Sequence, residues 1–258
     1  MKVTLLGSGA SGGVPLIGPE WGACDRHNRK NHRRRSSLLL ESATTTILID
    51  ATPDLRMQLI DANIRRIDAV LLTHTHADHI NGIDDLRVVN NHTAKTIDLY
   101  ASAPDLDAMR QRFPYLFTLP TQDKHGRFFK PGLIPHELTY GLPITIGDVT
   151  LVPFCQDHGV CLTTGFRCGA MAYSPDVVRL PAESLALLGD LSLWIVDCLR
   201  VEKSPTHANL EQVIEWTQQL KPKRVVLTHM SHESDYDQLC KLAPKPIEPA
   251  WDGMVIHV

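Results

Sequence analysis

Short apolar runs that stop at polar residues set the pattern of this chain, and the stops carry the chemistry. Residues 67–72 form such a run, interrupted only at Asp68 and bounded by charge, which predicts a short buried strand. β-Branched and leucine-rich runs predict further strands at 1–6, 36–41, 45–50, 97–101, 191–199, 224–227 and 254–258. A hairpin over 144–154 turns at Gly147-Asp148, and 162–168 with 171–173 makes another strand pair around Gly169. Helices are predicted over 53–63, within 80–91, and over 104–112, 208–220 and 235–242. The first of these takes Thr52 as N-cap and Pro53 at its first position, with Leu55, Leu59 and Ile60 as its apolar face. Residues 113–142 are rich in proline and aromatics and show no clear period. They read as an insertion: a lid or binding loop, or else an irregular excursion or a contact between copies. Hairpins dominate the early part, and strands alternate with helices later. No low-complexity linker divides the chain and no repeat of solenoid length occurs. The expectation is a single α/β (α+β) domain over 1–258, two sheets flanked by helices.

The polar stop after residue 72 reads Thr73-His74-Thr75-His76-Ala77-Asp78-His79. Side chains of an extended segment alternate with period two, so His74 and His76 point the same way. Asp78 and His79 fall where the next helix begins. Two imidazoles are thus offered to one ion, and a carboxylate with an imidazole to a second. A lone histidine at a strand end is ordinary surface; three within six residues, directly after a buried strand, point to metal. Further stops carry the same chemistry: His158, Asp176 and His229 each follow a predicted strand. Charges gathered at one sheet edge need partners, and a metal supplies them. Seven nitrogen and oxygen donors suit two ions with one carboxylate between them, with Zn²⁺, Mn²⁺ or Fe²⁺ as the matching metals.

Composition narrows the classes. The chain has 258 residues, 43 % apolar and 21 % charged, with a formal net charge of −3, so no basic surplus argues for a nucleic-acid partner. No run of about 18 apolar residues offers a membrane span. Residues 3–6 open as a strand rather than a signal core, which sets the cytoplasm as the expected compartment. The six cysteines form no CxxC pair, so neither a disulfide framework nor a cysteine-pair metal site is expected. The small-residue loop Gly7-Ser8-Gly9-Ala10-Ser11-Gly12-Gly13 is a flexible turn or a close approach to a ligand. Arg33-Arg34-Arg35 is a solvated face or a phosphate contact, and Arg34, Arg35 and Ser11 are the candidate substrate contacts.

On the residues His74-Thr75-His76-Ala77-Asp78-His79, read as HxHxDH, with His158, Asp176 and His229 downstream, the chain resembles the metallo-β-lactamase superfamily over its whole length. The resemblance implies the four-layered αββα sandwich. It implies that His74, His76 and His158 bind one divalent ion, that Asp78, His79 and His229 bind another, and that Asp176 bridges both. Asp50 matches an aspartate that supports such ligands from behind. Gly7 to Pro15, Trp21-Gly22, the approach to Ser36-Ser37, Thr206-His207-Ala208-Asn209-Leu210, the pair His229 and His232, and Trp251-Asp252-Gly253-Met254 are similar to the PhnP-like branch, cyclic phosphate diesterases. That likeness implies hydrolysis of a small phosphodiester, a cyclic ribose or nucleotide phosphate, with Asp78 orienting the attacking water and His207 as general acid. The branch can carry a separate structural zinc on three cysteines and a histidine; only Cys24, Asp25, His27 and His232 stand in the matching places, and none is expected here. Residues 7–15 and 50–56 also look like the branch of pyrroloquinoline quinone biosynthesis, which leaves a biosynthetic accessory protein, or a thioester or lactone hydrolase, as alternatives. Exposed aromatics in 113–142 permit a homodimer.

Overall fold

A computed structural model describes residues 1–118 and 121–258; Leu119 and Pro120, within the predicted insertion, lie outside the described residues. The strands are β1 (Lys2–Gly7), β2 (Ser37–Glu41), β3 (Thr46–Ile49), β4 (Ala69–Leu71), β5 (Ile97–Ala101), β6 (Leu133–Glu137), β7 (Ile144–Ile146), β8 (Val149–Asp157), β9 (Leu162–Cys168), β10 (Met171–Ser174), β11 (Leu193–Asp197), β12 (Val225–Thr228), β13 (Ile247–Pro249) and β14 (Met254–His257). The helices are α1 (Leu55–Asp61), α2 (Ala77–Ile80), α3 (Leu86–Thr93), α4 (Ala103–Arg112), α5 (Ala182–Ala186), α6 (Leu210–Leu220) and α7 (Tyr236–Leu242).

The strands form two sheets, ordered β14-β1-β2-β3-β4-β5-β6 and β13-β12-β11-β10-β9-β8-β7. Each follows one plan. In the first, β14 to β3 pair antiparallel and β3 to β6 pair parallel. In the second, β7 to β10 pair antiparallel and β10 to β13 parallel. Alternation along β2 shows how the layers form. Leu38 and Leu40 face the cluster that also holds Phe154, Phe166 and Trp194 of the second sheet. Leu39 faces the opposite cluster, with Leu55 and Leu59 of α1, Leu86 and Val89 of α3, and Leu106 and Met109 of α4. Strands buried on both faces read as unbroken apolar runs, which is why 36–41 and 67–72 stood out. On the far side Trp216 of α6 lies against Trp194 of β11, ring centroids 6.0 Å apart. The result is the αββα sandwich.

Four local expectations are corrected. Helix α1 begins two residues late, because Thr52 and Pro53 enter a turn in which Leu55 N–H donates to the Thr52 carbonyl at 2.9 Å and the Thr52 hydroxyl donates to Gln58 Oε1 at 2.9 Å. The helix expected within 80–91 is present as α3 but starts only at Leu86, after a turn at Gly82, where an added Cβ would stand 1.8 Å from the Thr52 carbonyl oxygen; only glycine permits that approach. The stretch 113–142 is not wholly irregular. It supplies β6, parallel to β5 at the sheet edge, where Pro135 is tolerated because one side of the strand has no partner to satisfy. Helix α5 and strand β13 were not foreseen; both are too short to show a period.

The loop between β1 and β2 is fastened to the segment after β12 by a buried guanidinium. Arg33, 2 % exposed, donates to the Ser234 carbonyl at 2.7 Å, the Ser231 carbonyl at 3.2 Å, Asn31 Oδ1 at 3.2 Å and Cys24 Sγ at 3.8 Å. Removing it strands buried carbonyls and costs about 3 kcal/mol. We therefore expect Arg33→Ala to lower Tm by roughly 6 °C or more in a thermal melt. Arg33→Lys, which keeps the charge but loses the planar fork, should recover only part of that.

Candidate metal centre

The site residues sit where parallel strands end. Asp50 follows β3 and turns back with φ 66°. Its carboxylate, fully buried, accepts from Thr73 N–H at 2.9 Å and the Thr73 hydroxyl at 2.8 Å, and lies 2.8 Å from His79 Nδ1. Thus it grips both the exit of β4 and the short helix α2. Between those points the chain carries His74 and His76, with His74 Nε2 and His76 Nδ1 2.8 Å apart. From the second sheet, His158 leaves β8 and donates from Nδ1 to the Thr206 carbonyl at 2.6 Å, which turns Nε2 toward the centre. Asp176 (φ 47°) and His229 (φ 57°) follow β10 and β12 in left-handed turns.

Among the described residues five triads have ligand atoms all within 4.8 Å of one another: His74, His76 and His158; Asp78, His79 and His229; His74, His79 and Asp176; His158, Asp176 and His207; and Asp197, His207 and His229. Asp176 stands between the first two. Its Oδ1 is 3.3 Å from His79 Nε2, and its Oδ2 is 3.3 Å from His229 Nε2, 3.8 Å from His158 Nε2 and 3.9 Å from His74 Nε2. Asp78 Oδ2 is 3.2 Å from His79 Nε2 and 3.5 Å from His229 Nε2. His79 Nε2, His229 Nε2 and Asp176 Oδ1 are buried without a hydrogen-bond partner. Buried polar atoms are rarely left so, and atoms aimed at a common point fit a cation held there. The donor set, imidazoles and carboxylates with no thiolate, suits a borderline divalent ion.

The buried charges act strongly on one another. Burial, together with neighbouring His79, holds the His74 pKa well below that of an ordinary imidazole and keeps the ring a neutral ligand. For Asp78 and Asp176 burial opposes ionisation, but the facing histidines outweigh it and push both carboxyls below the usual range. Burial also lowers His79, yet Asp176 and Asp50 more than reverse this and raise it well above 6.5.

His207 joins from the loop before α6. Its Nδ1 lies 2.8 Å from Asp197 Oδ2, its ring meets that of His158 with centroids 4.5 Å apart, and it stacks on His229 at 4.8 Å. Burial works against its charge, but Asp197 prevails and raises its pKa to about 9. Asp197 escaped the sequence reading, although it ends an apolar strand in the manner of the other site residues. The candidate substrate contacts already have partners within the fold. Arg34 pairs with Asp61 at 2.7 Å, and Arg35 pairs with Asp54 at 3.1 Å while donating to the Ser11 carbonyl. Cys24, His27 and His232 belong to no such triad among the described residues, and the Arg33 guanidinium lies against Cys24.

Residues 45–230 match the family model described as beta-lactamase superfamily domain. A solved structure of a diphosphatase from the PhnP family superposes with a TM-score of 0.89 at 30 % identity, covering 99 % of this chain and 96 % of that one. Coenzyme PQQ synthesis protein B of Azoarcus is 27 % identical over all of both chains. An octanoyltransferase of Porphyromonas gingivalis is 35 % identical over 98 % of this chain, which spans only about half, 51 %, of that relative's length. With the sandwich, the HxHxDH turn and the later strand-end ligands in place, the chain belongs to the metallo-β-lactamase superfamily.

Proposed function

We propose that the protein is a metal-dependent hydrolase of a small phosphodiester, with a cyclic ribose or nucleotide phosphate as the leading substrate class. One observation carries this reading: Asp176 lies between two donor triads and faces histidines of both, and a histidine–aspartate pair stands beside them. Its likeness to a PhnP-family diphosphatase favours phosphate chemistry over other reactions of the fold. His74, His76 and His158 would hold one divalent ion and Asp78, His79 and His229 a second, with Asp176 between. Such a pair supplies a nucleophilic hydroxide at neutral pH and positive charge for the phosphoryl oxygens.

The chain's own groups do the rest. Asp50 fixes the tautomer of His79 by occupying Nδ1, which leaves Nε2 as ligand. Asp78 keeps a second carboxylate oxygen with which to orient the attacking water. Asp197 holds His207 protonated and fixes its Nδ1, so Nε2 is free to give a proton to the departing alkoxide. A ring nitrogen of His207 lies within 4.8 Å of donor atoms of both His158 and Asp176, close enough to reach a leaving group seated there.

A second reading, hydrolysis of an acyl thioester, is favoured by the octanoyltransferase relative. This chain matches only half of that protein, so the named activity can belong to the other half. A panel of a 2′,3′-cyclic nucleotide, bis(p-nitrophenyl) phosphate and an octanoyl thioester, run with Mn²⁺ and Zn²⁺ separately, decides between them; turnover of the thioester alone would sink the phosphodiesterase proposal.

Two predictions follow from the geometry. His207→Ala should lower kcat by about 10²–10⁴-fold while metal content by mass spectrometry stays at the wild-type value. Chelation should lower Tm, and adding back divalent ion at 100 times its Kd should restore about 2.7 kcal/mol of stability. That gain should be much reduced in Asp176→Ala, which removes the carboxylate that both triads face.

A further inference from the structure

The metal-site residues do not explain how an anionic substrate would be oriented, and the arginines singled out from the sequence are committed to carboxylates. A different arginine stands beside the first triad. Helix α4 starts at the exit of β5 behind its N-cap Ser102 and ends at Arg112. From there the exposed Arg112 side chain reaches across 37 residues of sequence, and its Nη1 donates to the carbonyl of Thr75. Thr75 is the residue between His74 and His76. The contact therefore sets a full positive charge beside the first triad, on the face where His76 is half-exposed.

Three details bear on what that charge is for. Arg112 makes no ion pair with a carboxylate among the described residues, whereas Arg110, two positions earlier on the same helix, pairs with Asp107 at 2.8 Å. Asp105 of the same helix, which also reaches Thr75, is taken up by the Ser102 hydroxyl, which donates to it at 2.5 Å. And a guanidinium has five N–H donors in a rigid fork, of which the Thr75 carbonyl takes one. The remaining donors face solvent at the rim of a site built for a charged substrate. Arg112 and His207 also stand at different parts of that rim: Arg112 at the His74–His76 turn, His207 against His158 and His229.

We infer that Arg112 is a substrate-positioning residue: it holds an anionic phosphate oxygen at the His76 side of the centre, so that the leaving group points toward His207. This rests on the phosphodiesterase reading above and adds to it the residue that sets substrate orientation. The purely structural alternative is that Arg112 staples the Thr75 turn and favours the C-terminus of α4. The two differ in what a neutral donor can replace. Glutamine at this position keeps an N–H for the Thr75 carbonyl and loses the charge.

The experiment is titration of metal-loaded protein with inorganic phosphate, followed by calorimetry, in wild type, Arg112→Gln, Arg112→Lys and Arg112→Ala, with metal content and Tm measured on the same samples. The expected result is phosphate binding weakened by about tenfold or more in Arg112→Gln and Arg112→Ala. Arg112→Lys should fall between, because an ammonium offers charge without the fork. Metal content and Tm of Arg112→Gln should match wild type, and its loss on bis(p-nitrophenyl) phosphate should appear mainly as a raised KM. If Arg112→Gln, fully loaded, binds phosphate as tightly as wild type, the assignment is overturned while the phosphodiesterase reading stands. If all variants change only in Tm or metal content, Arg112 is a staple and the assignment is again overturned. A wild-type protein that neither binds phosphate nor cleaves a phosphodiester overturns the functional reading and this assignment together.

Discussion

The buried carboxylate of Asp50 is the contact on which the rest of the centre depends. It takes two hydrogen bonds from Thr73 and faces the ring of His79, and all three groups are shut away from water. A carboxylate so placed is costly unless its donors are present, and leaving one out costs more than the pair contributes. The end of β4 and the helix α2 are therefore locked to one another through β3. His74, His76, Asp78 and His79 ride on that locked segment. Gly82 completes it, since nothing larger lets the chain after α2 lie against the backbone of Thr52.

Asp197 does for the second sheet what Asp50 does for the first. Its Oδ2 accepts from Val177 N–H at 3.0 Å and faces His207, while its Oδ1 lies 3.9 Å from His229 Nδ1. One anion thus steadies the turn that carries Asp176, orients the His207 ring and lies beside that of His229. The sheets share a pairing plan, and each ends in a buried aspartate behind the ligands. The ligand turns are strained as well. Asp50, Asp176 and His229 all have positive φ, a conformation that costs on the order of 1–3 kcal/mol per residue and persists only where the surroundings over-determine it. Here they do: Asp50 N–H donates to the Leu71 carbonyl, the Asp176 carbonyl accepts from the Thr163 hydroxyl, and His229 N–H donates to Ser36 Oγ.

What could be read from the sequence follows from the range over which each signal acts. The gathering of the donor residues was legible because a histidine cluster behind an apolar strand is a local pattern, and the later donors repeat it at other strand ends. The sandwich came through the same motif rather than through periodicity. Asp197 was missed because an aspartate closing an apolar run looks like any strand end until the ring of His207 is seen against it. The ion pairs of Arg34 and Arg35 were not foreseen because their partners, Asp61 and Asp54, lie 27 and 19 residues away and leave no trace in a local pattern. The edge strand β6 was hidden by Pro135, which speaks against a central strand but not against an outer one.

The same logic explains why the fold alone does not choose the substrate. The donor atoms fix what an ion can do, and that capacity is common to relatives whose names include a diphosphatase and a cofactor-synthesis protein. Selectivity must come from groups that overhang the centre without filling a ligand position. The groups proposed for this here are His207, held by Asp197 on the loop before α6, and Arg112, at the end of α4. Both are carried by segments that follow a parallel strand, β11 and β5, where a connection can change length or sequence without disturbing the sheet that holds the ligands. On the proposed reading the interior would supply a general reaction and the two connections would give it direction: an acid where the bond breaks, and a cation where the charge must rest.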